Sequence, residues 1–199
     1  MCKLKSGIIL KDRVFVPEYD SHSDMLKELG IKDNYFGASK KFVRVELSPK
    51  NGDVFTDIDT WEYNVDQDIL PDWYDEAEAK PRMVEAVKEW AKGHIHLGKD
   101  KLTIDSGCGH YIKDCTNVDI EGNATVSNIH DNATASYIYG NATVSYICGN
   151  AVICSSPYTV WANAKELIIK DCATFKDNYN KVIYQSGGFK FVRLIAEAR

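Results

Sequence analysis

Carboxylates and aromatic side chains are concentrated in one short segment, whose residue types favour binding over bond-breaking chemistry. Ten Asp and Glu residues lie between Asp53 and Glu78, with no Lys or Arg among them. Dense negative charge attracts basic partners, and aromatic side chains anchor protein interfaces. The alternative is a solvated loop leading into a helix N-terminus, where carboxylates are favourable in any case.

We predict that this segment contacts a protein partner that is itself basic or binds nucleic acid. The residues expected to form the contact surface are Asp57, Asp59, Trp61, Glu62, Asp66, Asp68, Asp72, Trp73 and Tyr74. The chain itself carries a formal net charge of −5. That charge argues against direct binding of nucleic acid through its phosphates.

Two patterns resemble metal-ligand spacing but are incomplete. Asp57-Ile58-Asp59 begins like a calcium loop, yet the further oxygen ligands and the glycine of an EF-hand are missing. His94 and His96 would share one face of a strand, but no third zinc ligand stands at a suitable spacing. We therefore expect no metal site and no cofactor, and we place both histidines at the surface or between domains.

Sequence motifs of catalysis are absent. No nucleophile elbow, phosphate-binding loop or zinc-protease motif occurs. The six cysteines include no CxxC pair and are expected to be reduced, structural thiols. Cys108, His110 and His130 lie close in sequence, and they keep an enzyme as the third and least favoured hypothesis.

A nine-residue repeat occupies the second half of the chain. Its units, starting at Asp114, are DCTNVDIEG, NATVSNIHD, NATASYIYG and NATVSYICG. The second residue is small, the seventh is always Ile, and the ninth is Gly or Asp. Thr, Val, Ser and Tyr favour strands, and nine residues match no whole number of helical turns. Gly and Asn tolerate the positive φ that a corner requires.

The repeat predicts a parallel β-solenoid with two units in each coil, about 18 residues. The isoleucines should point inward, with Ile120 stacked on Ile138 and Ile129 on Ile147. Tyr137 and Tyr146 fall beside an uncharged strip, and we add both to the predicted partner-binding residues. The alternative for these two tyrosines is an aromatic stack that stabilises the coils.

The whole chain is predicted to be mainly β with an α+β N-terminal part. Residues 1–100 should form a small α+β module that caps the parallel β-solenoid, or β-helix, of residues 101–199. The solenoid should end in capping strands at residues 181–184 and 189–195. Within the module we expect short strands at residues 8–10 and 14–16, a helix capped by Ser21, a strand at 42–47, a hairpin turn at Asn51-Gly52, and a helix from Pro81 to Gly93.

The N-terminal segments MCKLKSGIILKDRVFVPEYDSH, FVRVELSPKNGDVF, VDQDILPDW and MVEAVKEWAKGHI, followed by NATV-type repeats, resemble an uncharacterised family found in phage and gut-bacterial genomes. The resemblance covers most of residues 1–150 and brings no activity or catalytic residue with it. It implies a phage or mobile-element setting. The sequence shows neither an 18-residue apolar run nor a signal-peptide stretch, so we expect the protein in the cytoplasm of the bacterial host, with no membrane contact.

Small proteins in that setting often bind and block host machinery. The first hypothesis is therefore a non-catalytic binding protein, with inhibition of a host defence complex as its expected action. The second is a structural, self-assembling protein that forms homo-oligomers through its C-terminal strands.

Overall fold

The computed structural model describes residues 4–32, 41–138, 140–155, 168–169, 174–177 and 182–185, with side chains up to residue 153. The chain divides into two compact units, Met1–Gly93 and His94–Arg199. The second unit begins before residue 101, the predicted boundary, because the strand Ile95–Leu97 already pairs with a solenoid strand. None of the described helices is both long enough and apolar enough to cross a membrane.

The first unit contains an antiparallel four-stranded sheet in the order β2-β1-β3-β4. Its strands are β1 (Lys5–Leu10), β2 (Val14–Phe15), β3 (Phe42–Ser48) and β4 (Glu62–Val65). Helix α1 (His22–Glu28) packs against this sheet through Met25 and Leu26, which share a core with Ile8 and Phe42. The predicted cap is confirmed, because the Ser21 side chain accepts a hydrogen bond from the Asp24 amide.

The connection between β3 and β4 is not the tight hairpin predicted at Asn51-Gly52. Those residues belong to a 3-10 turn (Lys50–Gly52), and the chain makes a second such turn (Ile58–Thr60) before it reaches β4. Val54, on this connection, and Trp61 are both buried. The segment therefore folds back on the unit and buries apolar side chains, which a two-residue turn could not do.

Helix α2 (Glu76–His94) begins five residues before Pro81, so the predicted start at this proline is wrong. The Asp75 carboxylate accepts a hydrogen bond from the Ala77 amide at 2.8 Å and so satisfies one of the free amides at the helix end. Met83 and Val87 have no solvent-exposed surface and lie on the buried face of the helix. A Cβ on Gly7 of β1 would lie 2.8 Å from the Met83 sulfur, so a larger residue here would displace the Met83 side chain.

The second unit is the predicted parallel β-solenoid, with about 3 coils of roughly 17 residues. The chain alternates between two sheets. One contains β6 (Leu102–Ile104), β8 (Val118–Ile120), β10 (Thr134–Ile138), β12 (Val152–Ser155) and β14 (Thr174–Asp177), with β15 (Val182–Gln185) antiparallel at its edge. The other contains β5 (Ile95–Leu97), β7 (Cys108–Lys113), β9 (Thr125–His130), β11 (Thr143–Ile147) and β13 (Ile168–Ile169).

The predicted register of the repeat is confirmed. Ile138 pairs with Ile120, and Ile147 with Ile129. These isoleucines and the small second residues of the repeat share one buried core. The first repeat position forms a ladder at the corner, since Asn141 donates its side-chain amide to Asn123, 18 residues earlier, at 3.1 Å.

The strands after the regular repeats agree with the sequence where they are described. β13 and β14 continue the two sheets in parallel, and β15 matches the predicted capping strand at residues 181–184. The second predicted capping strand, residues 189–195, on which the self-assembly hypothesis depends, lies outside the described residues.

Candidate functional site

The acidic segment presents an exposed surface between β4 and α2. We call residues 66–72 the acidic loop. Asp66, Asp68 and Asp72 are exposed. Between them Ile69 and Leu70 leave 57% and 43% of their surface open to solvent. Three exposed carboxylates and two exposed aliphatic side chains therefore occur within seven residues.

Hydrogen bonds to β3 hold the base of the acidic loop. The Asp66 amide donates to the Arg44 carbonyl at 2.9 Å. The Gln67 side chain accepts from the Arg44 amide at 3.0 Å and donates to the Phe42 and Ile69 carbonyls. These bonds tie the start of the loop to the sheet and leave its carboxylates and aliphatic side chains facing solvent.

Trp61 is a core residue, so its assignment to the partner-binding surface is wrong. Its exposed fraction is 2%, and its indole N–H donates to the carbonyl and hydroxyl oxygens of Thr56 at 3.3 and 3.1 Å. A side chain that is buried and whose N–H is already hydrogen-bonded within the protein cannot contact a partner. The signal that misled the prediction was composition, since a buried and an exposed tryptophan look alike in sequence.

Trp73 and Tyr74 are half-buried beside the acidic loop. The Tyr74 hydroxyl lies 3.1 Å from that of Tyr63. Burial is the main cause that raises the pKa of both phenols. Both tyrosines are therefore uncharged near neutral pH, and they add area but no charge to this part of the surface.

Asp57, Asp59 and Glu62 lie apart from the loop in sequence and have different surroundings. Asp57 caps the 3-10 turn by accepting from the Asp59 amide at 3.1 Å. Asp59 pairs with the Lys88 ammonium at 2.8 Å, and this contact raises the pKa of Lys88. Glu62 is exposed on β4. The Lys88 charge therefore offsets part of the negative charge predicted here.

Tyr137 and Tyr146 are exposed, by 66% and 38%, but they belong to different sheets of the solenoid. Tyr137 on β10 has Asp119 as its neighbour in the sheet, whereas Tyr146 on β11 has Asn128. The structure therefore places the two tyrosines on separate faces of the coil. They do not combine into one aromatic patch.

Three histidines form a buried stack in the first coil of the solenoid unit, so of the two predicted positions for His94 and His96, surface or between domains, the surface is wrong. His94, His96 and His110 are 7%, 5% and 6% exposed, and the rings of His94 and His96 both stack on His110. The register of β5 and β7 brings His110 to this place. A sequence without known register could not reveal it.

The hydrogen bonds of the stack form a chain in which each group donates to the next, from Lys99 through His96 and His110 to the Ser106 carbonyl. The Ser106 carbonyl can only accept, so His110 Nε2 donates to it at 2.9 Å, and His110 Nδ1 accepts from His96 Nε2 at 3.3 Å. Lys99 then donates to His96 Nδ1 at 3.1 Å. Burial, followed by the charge of Lys99, lowers the pKa of His96 to about 4. The ring nitrogens of His96 and His110 are thus engaged and hold no lone pair for zinc.

Cys108 and His130, two of the three residues behind the enzyme hypothesis, lie far apart. Cys108 opens β7, whereas His130 is aligned with Lys113 at the far end of that strand, about 16 Å away at the usual rise per residue. His110 is buried in the stack, and His130 lies 2.6 Å from the Asp131 carboxylate. His130 is therefore not a base within reach of the Cys108 thiol.

Another group of possible ligands lies in the first unit, where sequence reasoning found none. One ligand atom each from His22, Glu46 and Asp66 lies within 4.8 Å of the other two. The three residues come from α1, β3 and the start of the acidic loop, so no local spacing in the sequence could indicate them.

No protein family, curated protein or solved structure matches the chain.

Proposed function

We propose that this chain is a phage- or mobile-element-encoded, non-catalytic binding protein, which captures a basic host protein on its acidic loop. A host defence complex is the expected target. The observation that carries the proposal is the grouping of Asp68 and Asp72 around the exposed Ile69 and Leu70. This grouping offers a charge to attract a partner and apolar area to bury against it.

The chemistry of the loop suits protein recognition. Negative charge steers a basic partner toward the loop and raises the association rate. Interfaces bury an apolar centre within a polar rim, and Ile69 and Leu70 would supply that centre. The bonds that fix the loop base to Arg44 and Phe42 lower the ordering cost of binding.

The experiment is affinity capture from a host lysate with the wild type and two variants of the loop. Asp68→Lys with Asp72→Lys reverses the charge, and Ile69→Ser with Leu70→Ser removes the apolar centre. Asp66 is left intact because it contacts His22. The proposal predicts that both loop variants lose a basic partner that the wild type retains.

The matched control reverses two exposed carboxylates elsewhere, Asp12→Lys and Asp100→Lys. It makes the same change in net charge and should retain the partner. Capture should also weaken as salt is raised, since exposed charges are screened. Equal capture by wild type and loop variants would contradict the proposal, and so would equal loss in the control.

A further inference from the structure

Three elements of the first unit bring His22, Glu46 and Asp66 together. His22 is the first residue of α1, Glu46 lies within β3, and Asp66 follows β4 directly. The antiparallel pairing of β3 with β4 and the hydrogen bond from the Asp66 amide to Arg44 fix the two carboxylates on neighbouring strands. His22 and Glu46 are 8% and 7% exposed, whereas the side chain of Asp66 is 58% exposed.

The hydrogen bond made by His22 Nε2 determines which ring nitrogen carries the hydrogen in the neutral side chain. His22 Nε2 lies 3.1 Å from the Val45 carbonyl oxygen, which can only accept, so Nε2 carries a hydrogen. His22 Nδ1 lies 3.2 Å from Asp66 Oδ2. In a neutral imidazole of this tautomer, Nδ1 is an acceptor that faces the Asp66 carboxylate, and the ligand atoms of His22, Glu46 and Asp66 lie within 4.8 Å of one another. Two acceptors 3.2 Å apart repel each other, so the contact between His22 Nδ1 and Asp66 Oδ2 favours a cation there, either a proton on Nδ1 or a metal ion.

The distance between His22 and Asp66 suits two ligands of one metal ion. Ligands about 2.1 Å from a tetrahedral centre lie about 3.4 Å apart, which is close to the 3.2 Å between His22 Nδ1 and Asp66 Oδ2. Metal-bound histidines donate their other ring N–H to a carboxylate or a backbone carbonyl, as His22 does to Val45. The exposed side of Asp66 provides the access path that a metal site needs.

We propose that His22 Nδ1, Glu46 and Asp66 bind one divalent first-row metal ion at the base of the acidic loop. One nitrogen and two carboxylate ligands leave positions for water on the exposed side of Asp66. The ion would link α1, β3 and the start of the loop, and so order the loop. The site does not rest on the proposed partner binding, because Asp68, Ile69, Leu70 and Asp72 are not its ligands.

The test uses the full chain, freed of metal by a chelator, with Mn²⁺ as the probe. Mn²⁺ prefers carboxylate oxygen to thiolate, so the six cysteines compete poorly. Electron paramagnetic resonance counts free Mn²⁺, and NMR follows the His22 ring signals, which bound Mn²⁺ broadens. We expect one bound ion per chain with loss of the His22 signals, and at least about a tenfold weaker affinity in Asp66→Asn and in Glu46→Gln.

Asp68→Asn and Asp72→Asn are the matched controls, since each removes one charge from the same loop without touching the site. They should bind Mn²⁺ as the wild type does. If Glu46→Gln does not fold, Asp66→Asn, at an exposed position, decides alone. Absence of binding below about 1 mM Mn²⁺ would overturn the proposal. Equal weakening in the control variants would overturn it in favour of a diffuse acidic surface.

Discussion

Ile147 stacks on Ile129 of the preceding coil, and neither side chain retains any solvent-exposed surface. The pair shows how the repeat produces the fold. Each coil contributes the same aliphatic side chain at the same place, and the parallel strands bring the copies into contact. The small residues at the second position, such as Ala124 and Ala142, complete the narrow core.

Ile147→Ala should destabilise the solenoid by about 2–5 kcal/mol, because the cavity lies in a core that cannot easily collapse. The same substitution at the exposed Ile69 should change the free energy of unfolding by less than about 0.5 kcal/mol. Urea unfolding of both variants measures the difference. Equal effects of the two substitutions would show that Ile147 does not line the core.

Gly140 occupies a corner where φ is +76°, and a Cβ there would lie 3.0 Å from the Gly122 carbonyl oxygen. Gly140→Ala should therefore cost about 1–3 kcal/mol through backbone strain. Gly93, in helix α2, has no atom near its Cβ position and no positive φ. Gly93→Ala should stabilise the helix by up to about 1 kcal/mol, so thermal unfolding should move in opposite directions for the two variants.

The histidine stack predicts a loss of stability in acid. His96 stays neutral in the folded protein down to about pH 4, whereas in the unfolded chain it takes up a proton near its ordinary pKa of 6.5. Between these pH values the unfolded state binds more protons, so the free energy of unfolding falls as the pH falls. The contribution of His96 is about 1–3 kcal/mol, fully present above pH 6.5 and lost by pH 4.

Lys99→Met tests the cause of this pH dependence. Without the Lys99 charge beside His96 Nδ1, the folded-state pKa of His96 should rise and the loss of stability between pH 6.5 and 4 should become smaller. Lys101→Met removes an exposed charge nearby and should leave the profile unchanged. Identical profiles for the two variants, from denaturant unfolding at several pH values, would contradict the role of Lys99.

Thiol labelling tests which cysteines face solvent. Cys108 is exposed, whereas Cys115 and Cys148 are buried with exposed fractions of 0% and 7%. A thiol reagent should therefore modify Cys108 much faster than the other two in the folded protein. Peptide mapping by mass spectrometry gives the rates, with the denatured chain as the control. Rapid labelling of Cys115 would contradict its place in the core.

The solenoid could be predicted from sequence because its contacts recur at a constant spacing. Stacking residues 18 apart, such as Asn141 on Asn123, makes the register visible in the one-dimensional pattern. The coil is shorter at its start, where Thr116 bonds to Asp100, 16 residues away. The repeat is degenerate there, so the sequence pattern does not indicate which residues of neighbouring strands pair.

The candidate sites depend on contacts between distant segments, and these could not be predicted. Composition marked the acidic segment but did not show that Trp61 turns inward while Ile69 and Leu70 stay exposed. His22 meets Asp66 only because α1 packs beside the β3–β4 pair. Likewise, the start of α2 was misplaced because Pro81 is a strong local signal, whereas the cap is formed by Asp75.

Site-specific photo-crosslinking tests the central claim, partner binding by the acidic loop, most directly. A photoreactive phenylalanine replaces the exposed Leu70 in one variant and the exposed Asp12 in the other, and both are illuminated in host cells. The account predicts one adduct with a basic protein from position 70 and none from position 12. The absence of any adduct from position 70, or the same adducts from both positions, would contradict it.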